Sequence, residues 1–410
     1  MRRRRVDVDI AIVGAGPAGA ALGAALARRG IDTLLLERTT QWHWRAGGVF
    51  SSPAAVAALE RTGLDRAVIA AVARPIPAMR LETPGGVVVR LTYGADAGGP
   101  SAVGFDRSTL DPALEDLARA AGAAVWRGTS VTAVDLTDPG SPRLLLRDED
   151  GPRSIRCRIV VGADGAHSVV ARAAGVARPT RLPERVGLTY HVVDDRPVDT
   201  PAEARMIVLR DGYVGLAPVP RGRVNVGIVL GPSWHDRLAR DGAVATSEAV
   251  QAAIPEAADA PSDAALASRT DRVAGAFPLG GRVTRCAGPG WFLVGDAVGF
   301  LDPFTGEGLH RALVTAELAA GAIAAELRGG PARHRAIRAY ERGVRRRFAT
   351  KDTVSWLIQS FLARPRLFEY AARRLASRDD VRATMGLVIG DLVPARHGLD
   401  PRFLAALLAP

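Results

Sequence analysis

Apolar residues along this chain follow two rhythms. Residues 6–13 alternate and then become continuously apolar, the pattern of a parallel strand buried on both faces. The turn Gly14-Ala15-Gly16-Pro17-Ala18-Gly19 follows, then an alanine-rich helix through Arg29 that stops at Gly30. Residues 33–36 read as a second buried strand ending in Glu37. Between 71 and 103 the pattern changes to short strands broken by Pro and Gly turns. Residues 110–121 predict a helix with Asp111 near its start and Gly122 just past its end. Strand-like runs follow at 124–136 and 143–146, and 158–161 predicts a third buried strand ending in GADGAHS.

The second rhythm occupies residues 181–277. There VGLTYHVV, EARMIVL, YVGLAPV and RVNVGIVLG alternate as antiparallel strands do, the last two joined by a hairpin-like PRG. The polar, alanine-rich stretch 234–271 predicts helix. At 290 the buried-strand rhythm returns in GWFLVGD, and beyond 330 the chain reads as arginine-rich helix. A nucleotide-binding sheet is therefore expected from 1–75, 101–178 and 280–330, interrupted by a β-sheet module from 76–100 and 179–279. Residues 331–410 form a helical C-terminal region.

Composition changes this picture little. At 410 residues, 48% hydrophobic and 24% charged, the chain is long for one core and otherwise ordinary for a globular protein. The net charge of +11 is almost all arginine, Lys351 being the only lysine. Arginine and alanine together point to coding bias, and no basic-plus-aromatic nucleic-acid module is visible. A weaker reading is attraction to acidic substrates, carriers or membrane surfaces. Cys157 and Cys286 are too few and too isolated for a disulfide framework or a metal site, and suit reduced thiols in the cytoplasm. The opening MRRRR with the apolar run 10–27 mimics a signal peptide, but its acids and spaced glycines fit strand–turn–helix better. No transmembrane segment and no bound metal are expected.

The turn after the first strand carries specific chemistry. Gly14 permits a tight turn, Gly16 lets backbone approach a pyrophosphate, and Gly19 allows the helix to pack closely. The helix start supplies N–H donors and the positive end of a dipole. Glu37, 18 residues past the last glycine, can accept from ribose hydroxyls.

Two later stretches identify the dinucleotide. VVGADGAHSVVARAAG, from Val160, resembles the second signature of the flavoprotein superfamily containing group A flavin monooxygenases and geranylgeranyl reductases. GWFLVGDAVGFLDPFTGEGL resembles the third. The resemblance implies FAD and an α/β fold: a Rossmann-like FAD-binding domain of the glutathione-reductase type, interrupted by an antiparallel β-sheet substrate domain, with C-terminal helices. It implies Asp296 on the ribityl chain, with Gly295, and Pro303, Gly306, Gly308 and Leu309 beside the ring. Gly14, Gly16, Ala18, Gly19, Glu37, Arg38, Asp164 and Gly165 are the matching nucleotide-side positions. Arg107 matches an arginine near the pyrophosphate, Val131 a backbone contact to adenine, and Arg45 a flavin-side arginine.

The reaction is read from departures within that superfamily. Ala297-Val298-Gly299 replaces the hydroxylase pattern, whereas DPFTGEGL resembles the reductase loop. Alanine stands where reductases carry cysteine, at Ala46, and Gly215 and Ala217 replace two pocket aromatics. An NAD(P)H-dependent (or otherwise reduced) monooxygenase of a hydrophobic or aromatic small molecule is the expectation. The alternative is reduction of C=C bonds in an isoprenoid or lipid. Arg45 and Tyr213 are the candidate catalytic residues, Tyr213 as a pocket donor or as cross-strand packing; His43 is expected in a surface loop.

Overall fold

The computed structural model describes residues 7–44, 47–94, 99–197, 200–254, 261–329 and 332–408. Its first layer is a mixed sheet whose main path runs Ala287–Gly288, Trp291–Leu293, Gly151–Gly162, Val8–Val13, Thr33–Glu37, Ala124–Arg127. The four pairings from Trp291–Leu293 to Ala124–Arg127 are parallel. Apolar runs form these strands because helices cover the sheet. Pro17–Ala27 packs against Gly308–Leu327 and Arg107–Ala120, and Ile10, Ile12, Leu35, Val161 and Phe292 fill the same core. Gly23 makes that approach possible, since a Cβ there would lie 2.7 Å from Leu35 Cδ1.

Register decides where the chemistry emerges. Val13 pairs with Leu36 on one side and Gly162 on the other, and Gly162 pairs with Leu293. Four strands thus end level, and the segments that follow them all leave the sheet at its carboxyl edge, the usual ligand edge of open α/β sheets. The run 124–136 is not one strand. It breaks at Gly128 (φ +69°) into Ala124–Arg127 and Ser130–Asp135, and the second piece joins an antiparallel extension with Arg143–Asp148.

The second layer is a seven-stranded sheet. Its order is Ala274–Ala276, Val186–Val193, Arg223–Leu230, Gly212–Val219, Ala204–Leu209, Ala78–Glu82, Val88–Thr92. Only Ala204–Leu209 and Ala78–Glu82 run parallel. Alternation gives it two faces. The outer one buries Leu188, Tyr190, Val214, Val226 and Ile228 under the helices His235–Gln251 and Asp263–Ala267. The inner one carries Met79, Leu91, Met206, Tyr213 and Val229. The C-terminal helices Pro365–Ser377, Asp379–Ile389 and Pro401–Leu408 complete that inner core with Phe368, Leu375, Ile389 and Phe403. Burying each such side chain contributes ~2 kcal/mol. Among the described residues, no helix is long and apolar enough to cross a membrane.

Candidate functional site

The glycine turn is held from three directions. Gly14 adopts φ +99°, its N–H donates to Leu36 O at 2.8 Å, and a Cβ there would lie 2.5 Å from Ala163 O. A Cβ on Gly19 would lie 2.0 Å from Gly14 O. The third glycine therefore lets the helix fold back on its own turn, while Gly23 is the one that seats it on the sheet. Gly16 has nothing within 4 Å of its would-be Cβ and caps the helix without a side-chain hydrogen bond. Pro17 brings no N–H, and the amides of Ala18 and Gly19 find no acceptor among the described residues, leaving the helix start unsatisfied. Elsewhere Asp65, Asp106, Ser168 and Ser262 cap their own helices.

Glu37 is 4% exposed. One carboxylate oxygen accepts from Ala15 N–H at 3.1 Å, and the other accepts from the Thr39 backbone (3.1 Å) and hydroxyl (2.9 Å). Arg38 is exposed beside it. Thr129 N–H donates to Glu37 O at 2.9 Å, which brings the strand bearing half-buried Val131 to the same corner.

On the other side of the first strand, Asp164 Oδ2 accepts from Val169 N–H at 2.7 Å, while its Oδ1 is buried without a partner. Burial raises its pKa, opposed by bonds from Ser168 and Val169. Gly165 follows at φ +84°. Gly295 sits at φ +61°, where a Cβ would lie 2.9 Å from Ala18 Cβ, and its N–H donates to Thr315 Oγ1 at 2.8 Å. Asp296 comes next, half-buried, and no described group hydrogen-bonds its carboxylate. Burial pushes its pKa up, countered only through space by Arg311 and then Arg107. Arg107 itself is committed: it grips Asp111 at 2.5 and 2.9 Å and donates to Gly48 O at 2.9 Å.

The loop after Asp296 is anchored from beneath. Asp302 caps the turn Pro303–Thr305 through Phe304 N–H (3.0 Å), and accepts from the Tyr213 hydroxyl (2.6 Å) and Arg185 (2.9 Å). Burial, and then the Asp302 carboxylate, push the Tyr213 phenol well above its usual range. Tyr213 is thus a structural tie between the two layers, its ring packed edge-on against Phe304 at 5.1 Å. Gly306 requires its left-handed φ of +65° and leaves only 2.5 Å to Phe50 Cδ1 for a Cβ, so its smallness serves the turn. Gly308 is the open position, with nothing within 4 Å, and it begins the helix Gly308–Leu327 without a side-chain cap. Leu309 is buried behind it. His43 is exposed in its loop, and Arg45 lies outside the described residues.

One cluster gave no signal in the sequence. Lys351 is buried and donates to Val388 O (2.8 Å), Ile389 O (3.0 Å) and Asp391 Oδ1 (2.8 Å), and stands 4.0 Å from Glu307. Ser52 and His310 meet the other oxygen of Asp391, whose φ is +59°. Burial alone would raise Asp391, but His310 and Lys351 overcome it and hold the carboxyl at about 2. Burial raises Glu307, opposed by Lys351 and Arg311. The C-terminal region is in this way wired to the start of the Gly308–Leu327 helix.

The strand ends thus share one edge of the sheet with two helix starts that lack side-chain caps, uncrowded backbone at Gly16 and Gly308, an orphaned oxygen on Asp164 and, among the described residues, no hydrogen-bond partner for Asp296. These donors and acceptors suit a long ligand carrying both phosphates and hydroxyls. Comparison with known proteins agrees. A menaquinone reductase of Mycobacterium tuberculosis (strain H37Rv) is 30% identical over 340 residues, covering 77% of this chain and 76% of the relative. Digeranylgeranylglycerophospholipid reductase 1 of Methanopyrus kandleri is 30% identical over 336 residues, 78% of this chain and 81% of the relative. The fold matches that of CmlS, a flavin-dependent halogenase, with a TM-score of 0.77 at 23% identity, over 98% of this chain and 72% of that one. The family model described as FAD binding domain matches residues 7–354, and the chain belongs to that family of flavin-dependent oxidoreductases.

Proposed function

We propose that FAD lies along the carboxyl edge and that the enzyme is a monooxygenase of a planar hydrophobic molecule. Gly14, Gly16, Ala18 and Gly19 would hold the pyrophosphate from the helix start, with Arg107 adding charge nearby. Glu37, Arg38 and Val131 would hold the adenosine end. Asp164, Gly165, Gly295 and Asp296 would receive the polyol, and Pro303, Gly306, Gly308 and Leu309 would border the ring. Bound there, the flavin supplies two-electron redox chemistry and oxygen activation. This chain's own residues would present acceptors to the polyol and offer the amides at the start of the Gly308 helix to developing charge on the ring.

The observation that carries monooxygenation is the inner face of the seven-stranded sheet. Gly215 and Gly227 pair across central strands and remain partly accessible where their neighbours are buried. Such a bare floor suits a flat ring. The balanced reaction is R–H + O2 + NAD(P)H + H+ → R–OH + H2O + NAD(P)+. A second reading, C=C reduction of an isoprenoid, is favoured by the two relatives named as reductases. Turnover with and without oxygen separates them by product mass. Gain of one oxygen atom, absent under anaerobic conditions, is expected; gain of two hydrogens without oxygen would reverse the assignment.

A further inference from the structure

In the antiparallel register Gly215 lies opposite Gly227, and Ala217 opposite Asn225. On the next strand Thr189 lies opposite Gly227, and His191 opposite Asn225. Directly opposed residues share a face, so these six form one patch on the inner side of the sheet. A Cβ on Gly215 would meet nothing nearer than 3.7 Å, and one on Gly227 nothing nearer than 3.8 Å. Neither glycine has a positive φ. The backbone does not require glycine at either place, and what glycine provides there is room.

Beside this floor stands a polar group that the protein leaves half satisfied. Asn225 is 6% exposed. Its Nδ2 donates to Thr189 Oγ1 at 2.9 Å and to Tyr190 O at 3.1 Å. A carbonyl can only accept, so the Tyr190 bond fixes which way the amide faces. Oδ1 therefore points away from both partners and lies 3.8 Å from where a Gly227 Cβ would be. Among the described residues, no group donates to it. Next to the patch, Trp44 donates to Thr189 O at 3.3 Å and packs edge-on against His191 at 4.4 Å. Asp271 locks that imidazole, accepting from Nδ1 at 2.6 Å and from the His191 backbone N–H at 2.8 Å.

We propose that this patch recognises a planar ring bearing a hydroxyl or N–H donor. The ring lies over the Gly215–Gly227 pair beside Trp44, and its donor meets Asn225 Oδ1. The inference rests on the reading of this face as the substrate wall and names the substrate class for it. An acceptor that a bound ring covers and leaves without a donor discriminates against analogues that cannot supply one, by about tenfold to a hundredfold.

The test uses the FAD-loaded full chain and two probes of nearly equal shape, 2-naphthol and 2-methoxynaphthalene, titrated by fluorescence. We expect 2-naphthol to bind at least ~10-fold more tightly. Asn225→Leu should bring the two affinities together. Gly227→Val, whose Cβ meets nothing nearer than 3.8 Å and which suits a central strand, should weaken both probes at least ~10-fold without lowering the melting temperature. Equal binding of the two probes, no saturable 2-naphthol binding, or undiminished binding to Gly227→Val would each overturn the proposal. Product mass is a separate readout. Oxygen insertion without probe selectivity sinks the recognition site alone, and selectivity without oxygen insertion sinks the monooxygenase reading alone.

Discussion

Asp296 shows how a single residue can be uncomfortable in the protein alone. Its carboxylate is half-buried, receives no hydrogen bond from the described residues and has its pKa raised by burial. A folded-state pKa raised in this way makes the ionised form a burden on the fold at neutral pH. Asp296→Ala is therefore expected to melt at the same or a higher temperature than the parent without flavin, yet to lose flavin affinity by more than ~10-fold. Purified flavin content and melting of the stripped protein measure the two effects; a stable variant that keeps full flavin would sink the assignment. That Glu37 ends one buried strand and Asp296 follows another was legible in the sequence, because apolar runs and glycines mark those strand ends. Asn225 was not, because a strand's alternation says which face a residue occupies and nothing of what stands opposite. Lys351 and Asp391 were invisible for the same reason: their meeting depends on how a 31-residue helix lies against a turn made much later in the chain.

At the scale of elements, turns set the site more strictly than strands do. Gly306 is the clearest case, with its left-handed backbone and a phenyl carbon only 2.5 Å from a would-be Cβ. Gly306→Ala is expected to destabilise by about 1–3 kcal/mol through strain and displacement of Phe50. Gly308→Ala, at an open helix start, should leave the fold intact and affect only what binds there. Thermal melting of the two variants checks the contrast, and equal losses would remove the distinction drawn between them. The buried strands and glycine turns were readable because periodicity and backbone freedom are local. The break at Gly128 was not, since both halves of the run are strand-like and only their different partners separate them.

At the scale of the whole molecule, the C-terminal helices close the inner core and reach the Gly308 helix through Lys351 and Asp391. This junction makes stability pH-dependent in a definite direction. Asp391 is held at about 2, below the ordinary 3.8, so its contribution is fully present above about pH 4 and is lost as pH falls toward 2. The shift corresponds to ~2 kcal/mol. Asp391→Asn keeps a residue that tolerates the left-handed backbone, so the melting gap to the parent should be widest at neutral pH and shrink below about pH 4. A gap that does not change between pH 7 and pH 3 would contradict it. The interruption of one sheet by another was readable from the return of the buried-strand rhythm at 290. That the C-terminal helices belong to the core was not, because their arginines read as solvent-facing while the apolar stripe beneath is sparse.

The level ends of the parallel strands also set a timetable for synthesis. Val13, Leu36 and Gly162 leave the ribosome early, but Leu293, which completes the edge, comes 131 residues after Gly162 (293 minus 162). At ~5–20 residues per second that is a delay of roughly 7–26 seconds. During it the nascent chain can display the glycine turn and Glu37 but not Asp296 or the Gly308 helix. If FAD lies as proposed, its full capture waits for a chain made past Leu309, and chains terminated earlier would lack the ligand that holds them together.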